Sequence, residues 1–380
     1  MAGRVSAMDA MSLAFGRTER LLFRPFRFGL WARLAVVGLI TGEVGGLGGS
    51  GGVPNGNVSL PKTGGDQLRL AALFFSEPGW EQVQQNLVWL VPLFLTVIAL
   101  VLLWVYSACI YRFILLDAVL TGQCRLREGW RKWRDSGRQY FLWVLAFGFI
   151  GLVVLGVVAG IPLLLAWRAG WLQKGEEHIG GLLGWGLLLG LVLVLLIVLM
   201  AVIDLFGRDF LIPVMALENV DAIEGWRRLL GIVGQDKSSY VLYVVMKTVL
   251  ALGSAIAFTV ANIIVVLLSL IPLGLLALLG FLIGQALHVP WDNISVILIL
   301  AALGLLAMAG ILYVVGLIYA PALVFFQAYA LEFFAPRYDT LKAKMFPAPA
   351  PPNPPRASIP PWPQMPPMAP PTLPGDAFPA

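Results

Sequence analysis

Apolar residues fall into runs too long for an ordinary soluble helix and too continuous for the alternation of a strand. They cover residues 29–46, 87–116, 140–167, 179–206, 240–270 and 294–326. About 20 apolar residues in a helix cross a hydrocarbon core of about 30 Å, so the pattern predicts six membrane spans. The first is the weakest, with Arg33 near its inner end and Glu43 near its outer end. A cleaved signal peptide fits it less well, because the apolar stretch starts late and glycines follow rather than a small-residue cleavage site. Residues 271–287 are also apolar but are interrupted by Pro272, Gly274, Gly280 and Gly284. A seventh span there would carry a basic C-terminus across the membrane, so the pattern favours a re-entrant or interfacial helix on the outer face. Residues 68–75, followed by Pro78, predict a second interfacial piece on that face.

Charge between the runs sets orientation. Six Lys and Arg precede or open the first span, seven lie from Arg112 to Arg138, four from Arg208 to Lys237, and four follow the last span. The alternate loops hold only Lys62, Arg69, Arg168 and Lys174. The positive-inside rule therefore places both termini on the cytoplasmic side, with mildly acidic loops outside.

A repeat organises the chain. Glu128-Gly129-Trp130-Arg131 recurs 96 residues later as Glu224-Gly225-Trp226-Arg227, each preceded by an Arg-containing apolar exit from a span (from Arg112 and from Arg208). Asp9-Ala10 parallels Asp221-Ala222 and suggests a looser third copy, in which Val5, Met8, Met11, Phe15 and Leu22 share a helical face. The expected fold is thus all-α, with six transmembrane helices in three units of amphipathic elbow helix plus transmembrane hairpin. The expected domains are an amphipathic cytoplasmic helix (1–28), a six-span membrane domain (29–335) and a Pro-rich cytoplasmic tail (336–380). The last 35 residues contain 15 prolines, which predicts an extended, disordered tether that could dock a cytoplasmic protein.

Composition agrees: 59% of the 380 residues are hydrophobic and 12% charged, with a mean hydropathy of +0.85. The net charge of +5 is spread over loops rather than gathered in a patch, which argues against nucleic acid as a partner. Two cysteines, Cys109 and Cys124, make no disulfide framework and are expected as reduced thiols.

Catalytic signatures are weak. The Gly-rich segment 42–56 lacks the Gly-Lys-Ser/Thr of a phosphate loop, and its Gly48-Gly49-Ser50-Gly51-Gly52 lacks the strand–turn–helix setting of a nucleophile elbow. His178 and His288 lack the local ligand spacing of a zinc site, although Glu176, Glu177 and Asp292 fall on the same side. No cofactor is expected, and the pattern points away from an enzyme. Ionisable residues in spans are functional candidates by default. Lys247, two turns into the fifth span, has Asp204 at the end of the fourth as a candidate partner, with Asp117 as an alternative and snorkelling to headgroups as another. Ser254, Thr259, Asn262 and Ser269 could line a cavity or bond a neighbouring helix. Gly156/Gly160, Gly186/Gly190 and Gly280/Gly284 predict close helix packing, within the hairpin or between copies. The elbows bring Arg127, Trp130, Arg131, Trp226, Arg227 and Arg228 to headgroup level, as candidate contacts to an anionic inner leaflet.

The segment Arg208 to Ala216 with the elbow that follows, and the opening Leu22-Phe23-Arg24-Pro25-Phe26-Arg27-Phe28-Gly29-Leu30-Trp31, resemble poorly characterised bacterial six-span proteins similar to the membrane domain of glycerophosphoryl diester phosphodiesterases. The likeness covers residues 8–336 and its motifs are structural. It implies a membrane module that handles or senses lipid, without phosphodiesterase activity, since no catalytic domain is present. Two functions follow as expectations: a non-enzymatic scaffold or accessory subunit, and a transporter or flippase-like protein for a lipid or small amphiphile.

Overall fold

The computed structural model describes residues 6–43, 80–168, 179–286 and 293–346, and these are all-helical apart from turns and one isolated bridge. Ser6 and Asp9 form a capping box that starts α1 (Ala7–Leu22). This helix buries Ala7, Ala10, Ala14, Thr18 and Leu22, a stripe of mostly small residues that lets it lie close along α9. The face expected from sequence is therefore not the packed one: Met8 and Met11 are exposed and Phe15 is 68% exposed, while Leu22 belongs to the small-residue stripe. Large apolar residues on an elbow helix suit a lipid surface, whereas helix contact selects small ones.

A short turn leads to α2 (Phe28–Thr41), which Gly42 ends in a left-handed conformation (φ 71°). At 14 residues it is about 21 Å long, well short of the expected 29–46. It packs between α3 and α9, where a side chain at Gly316 would come within 3.2 Å of the Ala35 carbonyl oxygen.

The hairpin of α3 (Trp80–Thr121) and α4 (Leu126–Arg168) follows, turned by Gly122 at φ 71°. Gly129 faces Ile114 and Gly137 faces Ile110, a pairing that runs antiparallel and tolerates no larger residue. The first elbow is thus not a separate helix but the continuous beginning of α4.

The third long helix, α5 (Ile179–Phe206), opens into a π-turn (Gly207–Leu211) and then α6 (Ile212–Glu218), which Asn219 ends at φ 53°. The second elbow, α7 (Ala222–Gln235), is a distinct helix before α8 (Lys237–Ala286). With 50 residues, α8 runs about 75 Å and passes straight through Pro272. Residues 271–286 therefore continue α8 instead of forming a separate element. Next come α9 (Ile294–Phe334), a 3-10 turn (Ala335–Arg337) and α10 (Asp339–Met345).

Five of these helices are long and apolar enough to cross a membrane, and their apolar windows are almost wholly unburied. Exposed Leu, Ile and Val on every side suit a lipid solvent, in which backbone groups are satisfied within the helix. Burial is concentrated at one end of the bundle, where Phe210 touches Tyr240, Tyr243, Phe333 and Phe334 at ring distances of 5.0–6.1 Å. Two of the three glycine pairs make no close helix contact among the described residues: a side-chain carbon at Gly156, Gly160, Gly186 or Gly190 would meet nothing within 4 Å. The Gly-rich segment beyond Glu43, residues 68–75, His178, His288 and the Pro-rich tail beyond Phe346 lie outside the described residues.

Candidate functional site

Pro213 shapes the site. In an unbroken α-helix its missing N–H and its ring would conflict with the carbonyl of Asp209. The chain instead widens by one residue, with the Ile212 N–H bonding the Gly207 carbonyl, and residues 207 to 211 are all buried together. Counted back from the elbow glycine, Asp209 of the second unit stands where the first unit has Phe113, directly after the arginine in each case.

Asp209 is the ion partner of Lys247. The Lys247 ammonium donates to Asp209 Oδ1 at 2.6 Å and to Oδ2 at 2.5 Å, and the Tyr243 hydroxyl donates to Oδ2 at 2.8 Å. Asp204, the partner expected from sequence, is held by the Arg208 guanidinium, whose Nε also reaches the Asp204 carbonyl at 3.4 Å. The reason is geometric. Asp204 and Arg208 are a turn apart on one helix face, and the widened turn swings Asp209 towards α8. Asp117, the other candidate, takes the Lys132 ammonium at 3.1 Å.

A third cation is less firmly held. Arg112, level with this cluster on α3, donates to the Tyr140 hydroxyl at a long 3.4 Å, and its Nε is buried without a hydrogen-bond partner. Its nearest carboxylate contact is Glu43, at 3.9 Å. Glu43 thus stands level with Arg112, because α2 ends after 14 residues.

Glu43, Arg112, Arg208, Asp209 and Lys247 form the polar end of a cavity of about 380 Å³. The remaining walls are mainly apolar: Val198, Ala201, Val202 and Leu205 from α5, Ala251, Ala255 and Phe258 from α8, and Tyr319 and Leu323 from α9. Val198 lines the cavity while 53% exposed, so the space opens sideways between helices. Ser254 lines it too and bonds its own helix at the Ala251 carbonyl. Thr259 and Ser269 also bond their own helix, whereas Asn262 donates across to the Tyr319 hydroxyl at 3.1 Å beside a smaller cleft.

The elbow residues divide in two. Trp130 packs on Tyr106 and Tyr111, and Trp226 packs on Trp143, so both indoles have ring partners on neighbouring helices while staying partly exposed. Arg127, Arg131, Arg227 and Arg228 are exposed. Of these, Arg227 and Arg228 pair with Glu224, and Arg228 also reaches Glu218. Among the described residues, no group of three or more His, Cys, Asp and Glu could hold a metal ion.

A family of unknown function, DUF7544, matches residues 5–343. The chain belongs to that family. No curated protein and no solved structure matches it. The DUF7544 match runs from α1 through α10 and includes every residue of the charged cluster.

Sequence reasoning singled out Lys247 but missed Asp209, Arg112 and Glu43 as members of one site. A usable signal was present, since Arg112 and Arg208 both stand 17 residues before the elbow glycine.

Proposed function

We propose that this protein is a non-enzymatic, multi-pass membrane protein that takes the polar end of a lipid or small amphiphile into the cavity at the inner end of its spans, as a transporter or flippase-like protein would. One observation carries this reading: a lateral cavity whose one end holds three cations and two carboxylates and whose other walls are mainly apolar. Amphiphile sites need that division, and a volume within the roughly 300–1,000 Å³ of ordinary ligand pockets accommodates a headgroup with the start of its chains. The resemblance to lipid-associated membrane domains points the same way. A scaffolding role, the first expectation from sequence, rests on the elbow repeats, the missing catalytic signatures and the Pro-rich tail, and has no comparable cavity behind it in the described helices.

The same proposal includes six spans in three related units, with both termini on the cytoplasmic side of a bacterial inner membrane. Its support is that α1 and α9 meet through Arg17 and Glu332 at the buried end of the bundle, where α10 also packs. Both ends of the chain on one face require an even number of crossings. Gly129 against Ile114 and Gly225 against Leu211 are matching contacts in two of the units.

A photo-crosslinking amino acid at Ala255, inside the cavity, tests the function against one at Leu305, on the lipid-facing surface of α9. Selective capture of one lipid class at 255 is the expected result. Capture at 255 that mirrors the bulk lipid composition seen at 305 would remove the cavity from any function.

A further inference from the structure

Resting on the amphiphile reading, the electrostatics of the cavity narrow the headgroup. Lys247 is neutralised by Asp209 and Arg208 by Asp204, each across a direct contact. Arg112 and Glu43 are different: both line the cavity, both are largely buried, and they stand 3.9 Å apart, beyond hydrogen-bond reach. The buried Arg112 Nε has no acceptor. These two side chains are the loosely coupled cation and anion of the cluster.

The cluster as a whole is neutral, with Arg112, Arg208 and Lys247 against Glu43, Asp204 and Asp209. Net charge is costly where apolar helices surround a site. An anionic headgroup would bring phosphate to Arg112 but leave the cluster with a net negative charge beside Glu43. A zwitterionic headgroup keeps it neutral and engages both free ends, its phosphate accepting from the Arg112 guanidinium and its ammonium donating to Glu43. Charge-assisted bonds of this kind are the strong ones.

We propose that the cavity binds a zwitterionic aminophospholipid, of the phosphatidylethanolamine class, with Arg112 holding the phosphate and Glu43 the ammonium. The ligand separates a pair that is barely in contact without it, so no existing hydrogen bond between Arg112 and Glu43 has to be broken.

The test is native mass spectrometry of delipidated, intact protein offered equimolar dioleoyl phosphatidylethanolamine and dioleoyl phosphatidylglycerol. The wild type is expected to retain one phosphatidylethanolamine with about ten-fold preference, the equivalent of one charge-assisted bond. Glu43→Gln is expected to abolish or invert that preference while keeping lipid binding. Arg112→Gln is expected to weaken both lipids, with Arg112→Lys partly restoring them and circular dichroism checking that each variant is folded. A wild type that favours phosphatidylglycerol, or an unchanged preference in Glu43→Gln, overturns the headgroup assignment. Displacement of the lipid by an equal concentration of water-soluble glycerophosphoethanolamine also overturns it, in favour of a soluble solute. Failure of the underlying reading looks different: Ala255→Trp, which fills the cavity, would retain as much lipid as the wild type.

Discussion

Lys247 of α8 and Asp209 of the π-turn meet at 2.6 Å inside the buried end of the bundle, with the Tyr243 hydroxyl completing the carboxylate at 2.8 Å. Both side chains are about nine-tenths buried, so each charge depends on the other. Removing one partner of a buried pair costs about 3–5 kcal/mol, whereas replacing both by apolar residues is often neutral. Lys247→Met and Asp209→Asn should each lower the unfolding free energy in detergent by roughly that amount, and Lys247→Met with Asp209→Leu should recover most of it. Single-variant losses below about 1 kcal/mol, the level of an exposed pair, would mean that water reaches this site.

Helix approach in the first hairpin gives a second prediction. A side-chain carbon at Gly137 would lie 2.5 Å from Ile110 Cγ1 and 3.2 Å from its Cα, so the backbone itself is in the way. Gly137→Ala should destabilise by about 1–3 kcal/mol through overpacking. Gly231→Ala, in open space on α7, should be neutral or stabilise by up to about 1 kcal/mol through helix propensity. Thermal unfolding of the two variants side by side decides it, and equal effects would refute the close contact.

The N-terminal helix is tied to the C-terminal end of α9 by Arg17 and Glu332, 2.8 Å apart, with Glu332 buried. Arg17→Met leaves that carboxylate unpaired and should loosen α1. Hydrogen exchange in α1 should rise by ten-fold or more while α3 and α4 are unaffected, given about 1.4 kcal/mol per factor of ten. Unchanged exchange in α1 would show that its alanine stripe alone suffices.

Cys124, in the turn between α3 and α4, is a buried thiol whose pKa is pushed from the ordinary 9.0 up to about 11 by burial, with nearby Arg33 pulling it down in part. The thiolate is the reactive form, so alkylation of a Cys109→Ser background at pH 7.5 should be far slower than after unfolding. Because the unfolded thiol ionises first, this group's contribution to stability is complete below pH about 9 and is lost as pH rises to about 11. Cys124→Ser should flatten stability over that interval, and an unaltered slope would assign it to other groups.

Long apolar runs fixed the existence of the five long helices, because burial in lipid demands a continuous apolar surface that no tertiary detail can mask. Lys247 was legible as an ionisable residue inside such a run. Its partner was not, since Asp204 lies within the apolar run ending at residue 206 and Asp209 lies beyond it, where the π-turn before Pro213 brings it across. Glu43 was misplaced for a similar reason: its depth depends on where Gly42 stops α2, not on the length of the apolar run. The ring partners of Trp130 and Trp226 were not legible either, because they sit on neighbouring helices that only the fold brings together. The pairs Gly156/Gly160 and Gly186/Gly190 are the converse case, with the spacing of helix contacts and none made among the described residues.

Native mass spectrometry of the intact protein, extracted from its own membrane into nanodiscs, tests most directly whether the cavity beside Arg112 and Lys247 is an amphiphile site. A single lipid should survive release from the nanodisc in the wild type and be lost in Ala255→Trp. A wild type that emerges without lipid, or a variant that carries the same complement, would contradict the account.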